Sequence, residues 1–111
     1  MTGSRRKGAR GELEAAKELE RLFQKPARRG QQYSGSPDSP DVVFDTRLNI
    51  EVKRVQALNL DRALEQSLKD AATDQIPVVM HRKNHTKWKV SLYFDDLIKF
   101  ADVIKDLSTC S

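Results

Sequence analysis

Apolar residues recur along the chain with two different periods, and each period predicts one kind of element. Recurrence every three or four residues predicts an amphipathic helix, whereas strict alternation predicts a strand with one buried face. The first helix ends before Pro26, because proline lacks the backbone donor that a helix interior needs. Asn59 or Asp61 is the candidate N-cap of the second helix. Helical spacing predicts three helices, from about Ser4 or Lys7 to Gln24, over residues 60–72 and over residues 97–107.

Strand patterns fill the intervals between these helices. The candidate strands cover residues 30–34, 41–45, 48–54, 76–82 and 87–94. The resulting order, α-β-β-β-α-β-β-α, predicts an α/β fold with a central mixed β-sheet of about four or five strands flanked by helices. We expect a single domain over residues 1–111, with residues 1–6 as a flexible basic tail.

The stretch from Ser34 to Arg54 carries the candidate chemistry. Alternation in the strand over residues 48–54 places its apolar side chains in the core and places Glu51 and Lys53 together on the other face. Asp41 opens the preceding β-branched run. Two carboxylates can hold a divalent cation, which activates water, and a lysine can orient that water or stabilise developing charge. The pattern predicts a metal-dependent phosphodiesterase site, while a solvated strand face is the structural alternative.

This site imposes a condition on the pairing of the two strands. Asp41 lies on the same face of the sheet as Glu51 only if the residue numbers of each cross-strand pair add up to an even number. A two-residue loop at Thr46 and Arg47 would make the sum odd and turn Asp41 to the opposite face. We therefore predict an odd loop or a bulge, and a plain two-residue hairpin would exclude the metal site.

Several candidate residues also have an ordinary structural explanation. Glu12 lies on the core-facing stripe of the first helix, where it either interacts with the helix dipole, which the residues alone favour, or points into a site. Asp38 competes with Asp41, which we prefer because it opens a strand. Ser34 is either a phosphate contact or a structural hydroxyl. Gln66 points away from the apolar face of its helix, as a surface glutamine would.

Charge and composition narrow the class of protein. The net charge is +4 and the pI is about 9.4, which favours a polyanionic partner. Arg5, Arg6, Lys7 and Arg10 form a basic N-terminal cluster, either a solvated tail or a phosphate contact. The single cysteine, Cys110, excludes a disulfide within the chain, and we expect a cytoplasmic protein of a bacterial or archaeal cell, possibly phage-encoded. No segment has the length of a membrane span, and no zinc-ligand spacing or recognition-helix motif is present.

Taken together, these motifs resemble those of the PD-(D/E)xK nuclease superfamily, and more narrowly those of the archaeal and phage-type Holliday junction resolvases. The resemblance covers residues 6–100. Its motifs are RKGARGELE, the SGS loop, PDVV, IEVKR and LEQSL, followed by PVVMHRKNHTKWKVSLYFDDL. Each motif is short, and their order and spacing together carry the resemblance.

The resemblance implies a restriction-endonuclease-like core and a chemistry. Mg²⁺ would be the cofactor, with Mn²⁺ able to substitute, and hydrolysis would leave a 5′-phosphate. A homodimer would cut two opposed strands of branched or double-stranded DNA. We therefore expect a structure-selective DNA endonuclease that resolves four-way or branched junctions. The alternatives are a nicking, flap or sequence-specific endonuclease of the same fold, or a non-catalytic basic nucleic-acid-binding module.

The resemblance also assigns roles to individual residues. The implied catalytic residues are Glu12, Asp41, Glu51, Lys53 and Gln66. Asp41, Glu51 and Glu12 would hold the metal together with the backbone carbonyl of Val52. Lys53 would orient or activate the attacking water, and Gln66 would support the site. The implied DNA-contacting residues are Arg5, Arg6, Lys7, Arg10, Arg29, Ser34, Arg54 and Arg82.

Overall fold

The structure, a computed structural model of the protein, describes residues 2–30 and 40–108, with side chains from residue 10 onward. Three helices and five short strands make up the described chain. They are α1 (Thr2–Phe23), β1 (Arg28–Arg29), β2 (Val42–Val43), β3 (Leu48–Arg54), α2 (Leu60–Asp70), β4 (Ile76–Arg82), β5 (Lys89–Ser91) and α3 (Leu97–Ser108). A single 3₁₀ turn, Phe94–Asp96, precedes α3. No helix in these ranges is both long and apolar enough to cross a membrane.

The strands form one mixed sheet in the order β1-β2-β3-β4-β5, which confirms the predicted fold class. The central strands β3 and β4 run parallel over seven residues, from the pair Leu48–Ile76 to the pair Arg54–Arg82, and the other pairs are antiparallel. Parallel neighbours need a crossover connection, and α2 supplies it.

The two faces of the sheet have different contents. We call the face that carries the even-numbered side chains of β3 the Ile50 face and the opposite face the Glu51 face. α1 and α3 cover the Ile50 face, where the main core cluster lies. α2 packs on the Glu51 face through its two buried residues, Ala63 and Ser67. The small size of these side chains lets the helix lie close to the sheet.

The first helix differs from the prediction at its start and along its surface. Residues 2–6, predicted as a flexible tail, continue α1, and no proline among residues 2–23 prevents this. Leu13 and Leu22 belong to the apolar pattern but are 51% and 66% exposed. The buried stripe instead runs through Ala15, Ala16 and Leu19.

The ends of several elements also differ from the prediction. The fifth strand stops at Ser91, because the chain turns at Tyr93, whose carbonyl accepts a hydrogen bond from the Asp96 N–H at 3.0 Å. Phe94, the last residue of the predicted strand, lies in that turn and is 82% exposed. α2 ends at Asp70 because Ala71 is extended, and Asn59 caps its start as predicted. β1 precedes its predicted range, of which residues 31–34 lie outside the described chain.

The register between β2 and β3 has the predicted parity. Val42 pairs with Ile50, so the sum is even and the midpoint of the connection falls on Thr46. Asp45 shapes this turn: its side chain accepts from the Arg47 N–H at 2.9 Å, and its carbonyl accepts from the Leu48 N–H at 3.0 Å. The odd loop that the site requires is therefore present.

Gly30 fixes the backbone on the outer side of Asp41. Its N–H donates to the Asp41 carbonyl at 2.8 Å, and the Asp41 N–H donates to the Ile50 carbonyl at 2.9 Å. A Cβ atom at position 30 would overlap the carbonyl oxygen of Pro40. Because that oxygen belongs to the backbone, no side-chain rotation can relieve the clash.

We expect Gly30→Ala to lower the free energy of unfolding by about 1–3 kcal/mol through this overpacking. Urea unfolding followed by circular dichroism measures the change. Gly11→Ala is the matched control. Its new Cβ would come no closer than 3.2 Å to another atom, the Arg54 Cβ, and alanine raises the helix propensity at this position. Equal unfolding midpoints for Gly30→Ala and the wild type would contradict the steric argument.

Candidate active site

Asp41 and Glu51 face each other across the β2–β3 pair. Val42 pairs with Ile50 and the strands are antiparallel, so Asp41 lies opposite Glu51. The Asp41 Oδ2 atom accepts a hydrogen bond from the Val52 N–H at 2.9 Å. Both side chains are buried, with exposures of 9% for Asp41 and 6% for Glu51. The two carboxyl groups lie within hydrogen-bonding reach of each other.

This arrangement changes the acidity of Glu51. Burial, followed by the neighbouring Asp41 and then Asp70, raises the pKa of Glu51 to about 9. At neutral pH the Glu51 carboxyl therefore keeps its proton and can donate it to a neighbouring carboxylate. A bound divalent cation would take the place of this proton, since metal ligands bind in their deprotonated form.

Asp70 is a member of this cluster that the sequence analysis missed. It is the last residue of α2, and its carboxyl lies within hydrogen-bonding reach of Glu51. Gln66 donates from Nε2 to Asp70 Oδ2 at 3.0 Å, so the predicted supporting glutamine reaches Glu51 through Asp70. The spacing of four residues indicates that Gln66 and Asp70 share a helix face. Nothing in the sequence indicates that this end of α2 lies beside Glu51.

Glu12 lies in the middle of α1, which corrects the dipole interpretation. The helix begins at Thr2 and has no acidic residue in its first turn, so Glu12 is too far from the N-terminus to interact with the dipole. Arg29 donates from Nε to Glu12 Oε1. Burial raises the pKa of Glu12, the hydrogen bond from Arg29 opposes this, and the charge of Asp41 raises it further. Glu12 therefore lies close enough to Asp41 to interact with it.

The donor set fits a hard cation. Mg²⁺ in proteins is commonly held by one or two carboxylates together with water and substrate phosphate. Asp41 and Glu51 supply two such carboxylates, and a cation bound there would displace the proton that burial keeps on Glu51. Within residues 10–30 and 40–108, no three His, Cys, Asp or Glu side chains converge to form a metal site. Glu12 and Asp70 therefore stand beside the Asp41–Glu51 pair.

Lys53 follows Glu51 on the same face of β3. It is partly buried and pairs in register with His81 of β4. Burial, with a smaller effect of Lys89, lowers the pKa of His81, whose Nε2 lies 2.8 Å from Ser91 Oγ. The imidazole therefore adds no positive charge at neutral pH, and Lys53 is the cation that accompanies the carboxylates along this strand.

The remaining predicted residues are distributed over the molecule. Arg54 and Arg82 lie on the Ile50 face and both approach Glu14, at 3.0 Å and 3.8 Å. Arg82 also lies 5.8 Å from the ring centroid of Trp88. The structure therefore brings neither arginine to the carboxylate pair. Arg29 also lies on the Ile50 face, since it pairs with Val42, and it donates to Glu12, which interacts with Asp41.

Arg10 is exposed on α1. The Val52 N–H donates a hydrogen bond to Asp41. Metal binding by the Val52 carbonyl stays a prediction. The other predicted positions lie outside the described residues: the side chains of Arg5, Arg6 and Lys7, and Ser34, Asp38 and Cys110.

Comparisons with protein-family models, with curated proteins and with solved structures give no match. The residues and their geometry therefore carry the functional argument.

The raised pKa of Glu51 has a consequence for stability. In the unfolded chain this carboxyl ionises near 4.5, and in the folded protein it ionises near 9. Between these values the folded protein holds the extra proton, so the free energy of unfolding falls as pH rises through this window. The contribution is complete below the lower value and lost above the upper one.

We therefore expect metal-free Glu51→Gln to melt a few degrees above the wild type at pH 8, with a difference that shrinks toward pH 5. The carboxamide has no proton to lose, so its stability lacks this dependence on pH. Calorimetric melting in EDTA measures the difference, and Glu65→Gln, an exposed change on α2, is the control. Parallel pH profiles for Glu51→Gln and the wild type would contradict the assignment.

Proposed function

We propose that the protein is a metal-dependent DNA endonuclease that hydrolyses phosphodiester bonds. The observation that carries this proposal is the buried contact between Asp41 and Glu51, with Lys53 on the same face of β3. Two carboxylates that share a proton in a buried position cost stability, and such groups are typical of sites that bind cations or perform catalysis. The order of the motifs, which resembles that of PD-(D/E)xK nucleases, supports the same conclusion.

Each residue has a role that follows from its position. Asp41 is held by the Val52 N–H and presents its carboxylate towards Glu51. Glu51 would release its proton in order to hold a cation, which would supply Lewis acidity towards water and phosphate. Lys53 orients the attacking water or stabilises the charge on the phosphate oxygens. Water oxygen bonds to phosphorus as the bond to the 3′-oxygen breaks. The attacking water gives up a proton to solvent and the 3′-oxygen takes one up, which leaves a 5′-phosphate and a 3′-hydroxyl.

Arg29 provides a cation next to Glu12, the acid that interacts with Asp41. Its side chain is 47% exposed although it donates to Glu12. The guanidinium has five N–H donors, so it can contact a phosphate oxygen while it keeps this bond. The net charge of +4 favours DNA in general. The preference for branched DNA, and a homodimer that makes paired cuts, rest on the resemblance of the motifs.

Cleavage of an immobile four-way junction in Mg²⁺ tests the proposal, with linear duplex, flap and single-stranded DNA as competing substrates. We expect paired symmetric cuts on the junction. Glu51→Gln removes a metal ligand and lowers the rate by at least about 100-fold, whereas Glu65→Gln on α2 keeps it. Cleavage of duplex or flap DNA instead would keep the nuclease and change its substrate. Tight binding of DNA without cleavage of any substrate would overturn the proposal in favour of a binding module.

The roles of Asp41 and Lys53 can be separated by measuring metal binding and turnover together. Asp41→Asn is expected to abolish Mn²⁺ binding in a calorimetric titration and cleavage as well. Lys53→Ala is expected to keep Mn²⁺ binding and lower kcat about 100-fold, because the ammonium acts on water and phosphate. Lys69→Ala, an exposed change on α2, is the control. Normal turnover by Lys53→Ala would refute the role of this lysine.

A further inference from the structure

The C-terminal end of α2 is anchored beside Glu51. Ser67 donates from Oγ to the Asn49 carbonyl at 3.2 Å, and both residues are fully buried. The Asn49 amide makes a long contact of 3.5 Å from Nδ2 to the Asp70 carbonyl oxygen. Asn49 and Glu51 lie two residues apart on the same face of β3. These contacts fix the last turn of α2 over the strand that carries Glu51.

The contacts of α2 with Asn49 place Asp70 next to the site. Its carboxyl lies within hydrogen-bonding reach of Glu51, and its Oδ2 atom accepts a hydrogen bond from Gln66 Nε2 at 3.0 Å. Gln66 is exposed and therefore adds little buried surface. Its side-chain amide donates a hydrogen bond to Asp70. Side-chain contacts therefore connect Gln66 to Asp70 and Asp70 to Glu51.

Stability does not explain this position of Asp70. A carboxylate in the last turn of a helix meets the negative end of the helix dipole. In the described part of the chain, the nearby Asn49 Oδ1 is buried without a hydrogen-bond partner, which is a second cost at the same end of α2. Unfavourable polar groups that gather at one place are typical of functional positions.

We propose that Asp70 is a positioning residue for Glu51, which orients the carboxyl that binds the cation, and that Gln66 orients Asp70 in turn. This inference rests on the proposed function. Asp70 acts through Glu51 because Asp41, Glu51 and Asp70 do not converge as a three-ligand metal site among the described residues. Partners of this kind fix the orientation of a ligand, and their loss weakens metal binding about 10- to 100-fold.

Calorimetric titration with Mn²⁺ tests this role without a substrate. We expect Asp70→Ala to weaken Mn²⁺ binding about 10-fold or more, and Asp70→Asn, which keeps both contacts, to stay within about threefold of the wild type. Asp74→Ala, an exposed acid in the turn after α2, is the matched control for the loss of one charge. Melting temperatures measured alongside separate loss of positioning from loss of folding.

Gln66→Ala alone adds a test that does not depend on Asp70→Ala, and the double variant tests the coupling between the two residues. We expect Gln66→Ala to weaken Mn²⁺ binding severalfold in the wild type and to have no further effect in Asp70→Ala, because it acts through Asp70. A Gln66→Ala variant that binds Mn²⁺ normally, or an equal loss in both backgrounds, would overturn the proposal.

The failure of this inference differs from the failure of the proposed function. If Asp41→Asn abolishes Mn²⁺ binding while Asp70→Ala binds as the wild type does, only the role of Asp70 is overturned. The same holds if Asp74→Ala weakens binding as much as Asp70→Ala, since charge alone would then explain the effect. If the wild type itself binds no Mn²⁺, both proposals are overturned.

Discussion

The pairing of β2 with β3 is the constraint on which the site depends. A shift of one residue would exchange the two faces of β2, bury Asp41 among the core side chains and expose Val42 on the Glu51 face. The turn at residues 45–47 holds the observed pairing. Arg47 donates to both Asp45 oxygens and to Asp106 of α3, and the bonds between Arg47 and Asp45 lower the pKa of Asp45. The turn is thereby tied to a helix on the far side of the core.

The core and the site occupy opposite faces of the same strands. The Ile50 face of β3 and β4 packs against α1 and α3 and contains most of the buried apolar surface. The Glu51 face holds buried acids, and the raised pKa of Glu51 makes the free energy of unfolding fall as pH rises. Apolar packing on one face therefore offsets the electrostatic cost on the other. The parallel strands β3 and β4, which are paired over their full length, carry side chains of both faces.

The elements that the sequence predicts well are those determined locally. The bounds of β3 follow from alternation and those of β4 from a short apolar run. Asn59 was one of two candidate caps, and the odd loop follows from the requirement that Asp41 meet Glu51. Glu12 was assigned to a core-facing position, and the structure places it there beside Arg29. These inferences needed only the nearest neighbours along the chain.

Features that depend on packing between distant segments could not be predicted. The apolar pattern of α1 does not reveal which leucines meet the sheet, and Leu13 and Leu22 remain exposed. Arg54 and Arg82 read as free cations in the sequence, but Glu14 binds both across the Ile50 face. The position of Asp70 likewise depends on how α2 lies on the sheet, which the sequence does not encode in any local motif.

The two small residues that face the sheet from α2 have a consequence for how this site can be tuned. Ala63 and Ser67 set the separation between the helix and β3, and with it the height of the last turn above Glu51. Side-chain volume at position 63 therefore acts as a spacer. A larger residue there would lift the end of the helix while every acidic group kept its identity. Steric bulk far from the carboxylates thus offers a graded control of the site that is independent of its charge.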